Sequence, residues 1–415
     1  MFPLVIYLLM KDPDHMAFTR EILAAGACLV LMSSAASGQS RLAFKNCEIK
    51  SPPIYTEACV DTTYAFATRA GKTVASPSAE IEGNRLLFYF KGPAESVTVG
   101  REMAPLALSK FSEDEWGAAL VIPDIDRVLA TVQFNAAQSG GGSTNAGTIK
   151  VAGKLAAPIY PKGNLHGVKS IPLPSEHLGS TRAIHVWLPP GYTTAVKYPV
   201  IYVADGAVML ARTLEPRIVS GTVRPVIVVA INDCGNEMVP GAMSCRANEY
   251  VDLPAAMMGL PDAYQRHEKF VLNEVIPFVE RSYSVSTNKK DRAVAGFSSG
   301  ADWAASIAMR NPGVFGGAIV MSPMISVYRN ASAKLEGTFF ITAGYLDAGA
   351  MRAAPCLGSV LAKRGADFRI TKVPYGHSQD SNELAFANDA ALWLAGKPAA
   401  SGPFIAPAAP CRTFD

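Results

Sequence analysis

Gly296-Phe297-Ser298-Ser299-Gly300 sets a serine between two glycines, after the apolar run Ala293-Val294-Ala295 and before a stretch, Ala301 to Met309, that can form a helix. A serine at a sharp strand-to-helix turn has strained backbone angles. Small neighbours let the chain approach itself there, and the hydroxyl is held out above the sheet. Such a hydroxyl becomes a nucleophile when a base takes its proton. The pentapeptide alone arises by chance often enough; the strand before it and the helix after it give it weight. The start of that helix also offers backbone N–H groups and the positive end of a dipole. The Ser299 amide is the first expected donor to an oxyanion.

His377, in Pro374-Tyr375-Gly376-His377-Ser378, lies just past the last strand-like run and is the expected base. Its ordinary alternative is a histidine that caps a loop. In the order serine, acid, histidine, the acid belongs on a loop after an intervening strand. Asp347, in Gly344-Tyr345-Leu346-Asp347-Ala348-Gly349, comes after the run Phe339 to Ala343 and takes that place; its ordinary alternative is an Asx turn. Asp380 and Glu383 compete as acids, and a serine–histidine dyad without an acid is a further arrangement. The second oxyanion donor is expected in Asp205-Gly206-Ala207, from the Gly206 amide, with Asp205 as turn organiser. Trp303 reads as core, or as the wall of an acyl pocket. Arg246 and Glu249 either order the pocket wall or form a surface ion pair. His185 reads as a packed or edge strand residue, and His267 as a surface or pocket residue on a helix.

These groups need a scaffold. From residue 165 the chain alternates apolar runs, such as Val200-Ile201-Tyr202-Val203 and Val226-Ile227-Val228-Val229, with helical stretches. Runs apolar on both faces suit a mostly parallel sheet covered by helices on both sides. The helix around Glu268 to Tyr283 is expected to bend at Pro277. Residues 40–136 instead show several short strands with turn signals, which suggests a β-sandwich. Ser139-Gly140-Gly141-Gly142-Ser143-Thr144-Asn145 has a flexible linker composition. The expected organisation is a signal peptide (1–38), a β-sandwich (40–136), a linker (137–164), an α/β catalytic domain (165–397) and a Pro/Ala-rich tail (398–415).

The 415 residues carry 38 basic and 35 acidic side chains, for a net charge of +3, so nothing points to a nucleic-acid or membrane-surface partner. Met16 to Arg20, the apolar stretch Ile22 to Met32 and the small residues Ser33 to Gly38 read as an export signal cut after Ala36 or Gly38, with Met16 as the alternative start. An uncut anchoring helix is the other reading; the apolar run is short for a membrane span. The expected location is periplasmic or secreted. Beyond the signal stand Cys47, Cys59, Cys234, Cys245, Cys356 and Cys411. An even count in an exported chain suggests disulfides, and closeness in sequence favours Cys47–Cys59 and Cys234–Cys245, leaving Cys356–Cys411. No CxxC or Cys/His cluster offers a zinc site.

Further motifs join these: Arg182-x-x-x-x-Trp187-Leu188-Pro189-Pro190-Gly191-Tyr192, Tyr198-Pro199-Val200 through Asp205-Gly206, Arg246-x-x-Glu249-Tyr250, Glu274-Val275-Ile276-Pro277-Phe278 and Gly376-His377. Over roughly 165–397 the chain resembles the esterase family that contains enterochelin esterases, feruloyl esterases and S-formylglutathione hydrolase, and is most similar to its two-domain enterochelin esterase-like members. The resemblance implies an α/β-hydrolase fold, no cofactor, and Ser298 and His377 as catalytic residues. It also implies an immunoglobulin-like or early-set domain ahead of the hydrolase, where residues 84–134 look similar. Ala301 stands where many members have a second glycine after this turn, with Asp302 following it, and the tryptophan often found after the histidine is missing. The expected activity is hydrolysis of a siderophore ester or a feruloyl or acetyl polysaccharide ester through an acyl-enzyme. The alternatives are an acyltransferase on the same scaffold, as in mycolyltransferases, and an inactive hydrolase fold that binds a glycan or other ligand.

Overall fold

The computed structural model describes residues 59–61, 63–66, 75–140, 142–156, 165, 167–239, 242–329, 333–397 and 411–414. The expected signal peptide and Cys47 lie outside them. The chain divides into two compact units: a smaller one up to Ile122 together with Gln133–Ile149, and a larger one made of Pro123–Val132 and everything from Lys150 onward.

The smaller unit is built from strands β1 (Cys59–Val60), β2 (Ser78–Glu82), β3 (Arg85–Lys91), β4 (Ser96–Arg101), β5 (Leu106–Ala107), β6 (Ser109–Lys110), β7 (Glu115–Val121) and most of β8 (Leu129–Ala137) and β9 (Ser143–Ala152), whose residues up to Val132 and from Lys150 belong to the larger unit. One sheet runs β1-β7-β3-β2 with β6 also paired to β7, and the other runs β5-β4-β8-β9. Phe88 of the first sheet meets Phe134 of the second edge to face at 6.3 Å. The expected linker is different from its composition: ten of its residues form β9. Only Val151 of that strand is buried, so its solvated sequence carries no apolar alternation to betray it.

The larger unit holds β10 (Lys169–Ser175), β11 (Ser180–Trp187), β12 (Val200–Val203), helix α1 (Glu215–Val219), β13 (Ile227–Ile231), α2 (Cys245–Tyr250), α3 (Ala255–Met258), α4 (Ala263–Lys269), α5 (Ile276–Ser282), β14 (Arg292–Phe297), α6 (Ser299–Arg310), β15 (Gly317–Met321), β16 (Val327–Arg329), β17 (Thr338–Gly344), α7 (Ala348–Lys363), β18 (Asp367–Val373), α8 (Gln379–Leu394) and β19 (Arg412–Phe414). Eight strands form one sheet in the order β10-β11-β13-β12-β14-β15-β17-β18. β10 and β11 are antiparallel and β13 onward is parallel. Val200, Tyr202, Val229, Val294 and Val320 belong to one core, and Ile201, Val203, Val228, Ala295 and Ile319 to the other. Alternate residues of each strand thus feed opposite faces, which is why these strands read as continuous apolar runs.

Between α4 and α5 the helix widens into a π turn at Phe270–Val275. The irregularity precedes Pro277 because proline has no N–H for the carbonyl one turn back, and the chain absorbs the loss upstream.

Disulfides join Cys234 to Cys245 and Cys356 to Cys411. Cys59 is disulfide-bonded as well, but its expected pairing with Cys47 lies outside the described residues. The tail is therefore not free at its end: Cys411 is tied to α7, and β19 pairs in parallel with β16. The Cys356–Cys411 bond spans 55 positions; a cross-link of that span removes about 4 kcal/mol of chain entropy from the unfolded state. The double variant Cys356→Ala/Cys411→Ala should lose stability by up to that amount, read as a lower urea midpoint in equilibrium unfolding.

Candidate active site

The site begins where β14 ends. Ala293, Val294 and Ala295 are fully buried, so the strand cannot shift to relax the turn at its end. Ser298 takes φ +58° and ψ −127° there, a region that L residues rarely enter. The flanking glycines make this turn feasible. A Cβ at Gly296 would collide with the Gly300 carbonyl, and a Cβ at Gly300 would stand 2.9 Å from both the Ala204 Cβ and the Asp205 Oδ2. The Ser298 amide donates to the Met321 carbonyl at 3.1 Å, and the Ser298 carbonyl accepts from the amides of Ala301 and Asp302 at 2.9 and 3.2 Å.

The loops after β17 and β18 converge on this serine. His377 Nε2 lies 3.0 Å from Ser298 Oγ, and its Nδ1 lies 2.6 Å from Asp347 Oδ2. Asp347 caps α7: its Oδ1 accepts the Ala350 amide at 3.1 Å, leaving Oδ2 for the histidine. The two loops are tied by their backbones, with Tyr345 N–H donating to the Val373 carbonyl at 2.7 Å and Leu346 N–H to that of Tyr375 at 3.2 Å. Leu129, within the larger unit, brackets the histidine loop: its amide donates to the Pro374 carbonyl and its carbonyl accepts from Gly376 N–H. Phe297 packs on the imidazole face at 4.4 Å between ring centroids. The two competing acids are engaged elsewhere, Asp380 with Lys150 and Glu383 with Arg212 at 3.4 Å. An arrangement of this kind can pass a proton from a hydroxyl to an imidazole whose tautomer and orientation a buried carboxylate holds.

Ser299 is the first residue of α6, where a helix leaves its amides without intrahelical acceptors. Gly206 is a correction. Its amide donates to the Ile231 carbonyl at 2.9 Å, so it is spent on the turn and cannot serve an oxyanion. The cross-strand acceptor that consumes it was invisible in the order of residues.

Arg246 and Glu249 do not pair with each other. Arg246 grips Asp205 with Nε and Nη2 at 2.5 and 2.9 Å and reaches the Phe297 carbonyl at 3.3 Å. Asp205 organises its turn as expected, at φ +63°, with burial raising its pKa against the pull of Arg246. Glu249 receives both Nη groups of buried Arg182 at 2.7 and 2.8 Å, and the Cys234 amide at 3.1 Å. Cys234, Cys245 and Glu249 cluster closely, but the sulfurs are joined to each other and the carboxylate holds Arg182, so this cluster is not a metal centre. His185 is pinned between Ser170 and Asn232 at 2.8 and 3.0 Å.

Of the two readings of Trp303 the core one holds, and the reading of His267 needs correction. Both are fully buried, with ring centroids 5.9 Å apart, so Trp303 is packing rather than the wall of an acyl pocket, and His267 is neither surface nor pocket. Burial, reinforced by the Arg182 charge, pushes the His267 pKa down to about 3. Sequence reasoning also passed over Asp302. It is fully buried one turn into α6, and its Oδ1 accepts the amides of Met324 and Ile325 at 3.1 and 3.3 Å. It thereby anchors the loop after β15, beside the serine turn. An acid in a helix's first turn was the available signal.

The model of the Esterase family matches residues 175–401. An endo-1,4-beta-xylanase/feruloyl esterase of Xylanibacter ruminicola is 26% identical over 174 residues, which is 38% of this chain and 22% of that protein's length. This chain therefore spans about a fifth of that relative. Among solved structures, the enterobactin esterase of Shigella flexneri, crystallised in the presence of enterobactin, matches with a TM-score of 0.54 at 14% identity, covering 78% of this chain and 97% of its own. An enterochelin esterase structure from the same organism gives 0.51 at 15% identity, covering 78% and 95%. These likenesses support an α/β-hydrolase-like fold.

Burial raises the Asp302 pKa to about 7, against the two amides that favour its charge. Between the ordinary carboxylate range and pH 7 the folded protein holds a proton that the unfolded chain has released, so this group's contribution falls as pH rises. Asp302→Asn keeps an oxygen for both amides and removes the titration. It should gain stability relative to the parent as pH goes from 5 to 8, by a melting-temperature difference that widens with pH. A difference constant over that range would refute this assignment.

Proposed function

This chain belongs to the Esterase family, and from that premise we propose that it is a serine esterase in which Ser298, His377 and Asp347 carry the reaction. The supporting observation is the unbroken polar chain from Ser298 Oγ through the imidazole to Asp347, at 3.0 and 2.6 Å. His377 Nε2 takes the hydroxyl proton as Oγ attacks the ester carbonyl. Asp347 accepts the Nδ1–H bond and stabilises the imidazolium that forms. The Ser299 amide, at the positive end of α6, faces the developing oxyanion. His377 then returns its proton to the departing alcohol, leaving an acyl-enzyme. Water, deprotonated by the same imidazole, releases the acid and restores the serine.

The substrate in this reading is a siderophore ester or a feruloyl or acetyl ester on a polysaccharide. The partial match to a feruloyl esterase-containing relative supports the feruloyl class. The smaller unit, with two antiparallel sheets that share the Phe88–Phe134 contact, is read as the immunoglobulin-like sandwich that precedes the hydrolase. Export is compatible with the disulfides. Among the described residues no helix is long and apolar enough to cross a membrane.

Ser298→Ala should lower turnover of a short-chain p-nitrophenyl ester by at least roughly 10⁴-fold with an unchanged melting temperature, and should escape labelling by a fluorophosphonate that marks the parent. Asp347→Asn should lower kcat by about 10³–10⁴-fold. Undiminished turnover by the serine variant would sink the mechanism. Rates on a trilactone siderophore, methyl ferulate and acetylated xylan separate the substrate classes.

A further inference from the structure

At the opposite end of α6 from Ser298 lies a cavity of about 380 Å³, lined in part by Ser306, Arg310, Arg329 and Arg364 with Asp252 and Glu268. The cavity is lined by Ser306 and Arg310 of that helix, 8–12 residues beyond Ser298, which sets it roughly 12–18 Å along the helix from the serine turn. It is therefore separate from the serine site.

The charges around it do not cancel. Glu268 is consumed: it accepts Arg310 Nε and Nη2 at 2.8 and 2.9 Å and the Asn311 amide group at 2.8 Å. Asp252 is consumed as well, by Arg310 Nη1 at 3.3 Å and by Arg329 Nε and Nη2 at 3.2 and 3.1 Å. Two carboxylates thus answer two of three guanidinium groups. The third, Arg364, is 8% exposed. Its Nε and Nη2 donate to the carbonyls of Ala333 and Met309, both at 2.9 Å. Carbonyls supply no opposing charge, and among the described residues Arg364 meets no carboxylate and its Nη1 has no partner. Burial alone acts on its pKa, downward. Ser306 lines the same cavity at 4% exposure, and among the described residues its hydroxyl is also without a partner.

A buried cation without a counter-charge is costly, and a guanidinium fork and a hydroxyl lining one cavity match the oxygens of a compact oxyanion. We propose that this cavity binds a small oxyanion, a carboxylate or a phosphate monoanion, between Arg364 and Ser306, with Arg329 at its rim. The excess of one positive charge selects a monoanion. A cation is excluded because both carboxylates are already occupied.

The test uses the full chain and its Ser298→Ala variant, titrated with sodium acetate and with sodium phosphate against sodium chloride at equal ionic strength. The melting temperature and isothermal calorimetry are the readouts. A saturable rise with acetate or phosphate beyond that with chloride, equal in Ser298→Ala, supports the site, and the anion that produces it identifies the ligand class. Arg364→Met should weaken binding roughly tenfold or more. Because Arg364 also ties two carbonyls, Ser306→Ala provides an independent variant, expected to weaken binding roughly threefold or more. The proposal is overturned if the anions behave as chloride does. It is overturned equally if Ser306→Ala and any folded Arg364→Met bind as the parent does, since the anion then sits elsewhere.

Discussion

The positive φ of Ser298 is the constraint around which the larger unit is organised. A non-glycine residue held there costs of order 1–3 kcal/mol and persists only where its surroundings leave no alternative. Those surroundings are specific. β14 is buried on both faces, the Met321 carbonyl takes the Ser298 amide, and the first turn of α6 takes the Ser298 carbonyl. The close contacts at Gly296 and Gly300 leave the backbone no room to unwind toward an ordinary turn. Arg246 adds a tether from the neighbouring loop, joining Asp205 to the Phe297 carbonyl. Relaxing the serine would require several of these to break together.

The other two groups reach the serine because parallel strands deliver their loops to one edge of the sheet. β14, β15, β17 and β18 are neighbours in that order, so the loops bearing Ser298, Asp347 and His377 leave from the same side. Parallel alignment alone would leave the loops ångströms of freedom. Here the hydrogen bonds from Tyr345 and Leu346 to Val373 and Tyr375 join the aspartate loop to the histidine loop. A Cβ at Gly344 would strike the Tyr375 carbonyl, so the two backbones can close only on glycine. Asp347 then divides its oxygens between capping α7 and holding the imidazole, and the helix orients the carboxylate that orients the histidine.

Much of this was legible in the residue order. The strands from β11 to β18 announce themselves as apolar runs because both faces are covered, and the serine turn carries its glycines in plain view. Asp347 could be placed by its position after a strand, with rivals left open. What escaped depended on partners distant in sequence. The Gly206 amide looked available because its acceptor, Ile231, stands on another strand. His267 read as a surface or pocket residue because histidine is polar, yet Tyr250, Phe270 and Trp303 enclose it. β9 read as a linker because an edge strand facing solvent on most of its length has no periodic apolar signal. Asp302 registered only as the residue after Ala301, which stands in place of a glycine common in related chains.

Asp302 and Arg310 tie the two ends of the deeply buried helix α6 to other elements. Ten of its twelve residues are buried, and the partly exposed ones, Ser299 and Arg310, stand at its two ends. Arg310 in the last turn complements the negative end of the helix dipole, and Asp302 in the first turn complements the positive end once it ionises, above about pH 7. Each side chain is spent on a second element: Asp302 on the amides after β15, and Arg310 on Glu268 of α4. The helix that begins at the strained serine is thus fixed at both ends by groups that cannot leave without breaking hydrogen bonds to a second element. A site that needs its nucleophile held to a fraction of an ångström gains from such anchoring more than from further apolar packing, since apolar contacts resist separation but permit sliding, whereas paired hydrogen bonds resist both.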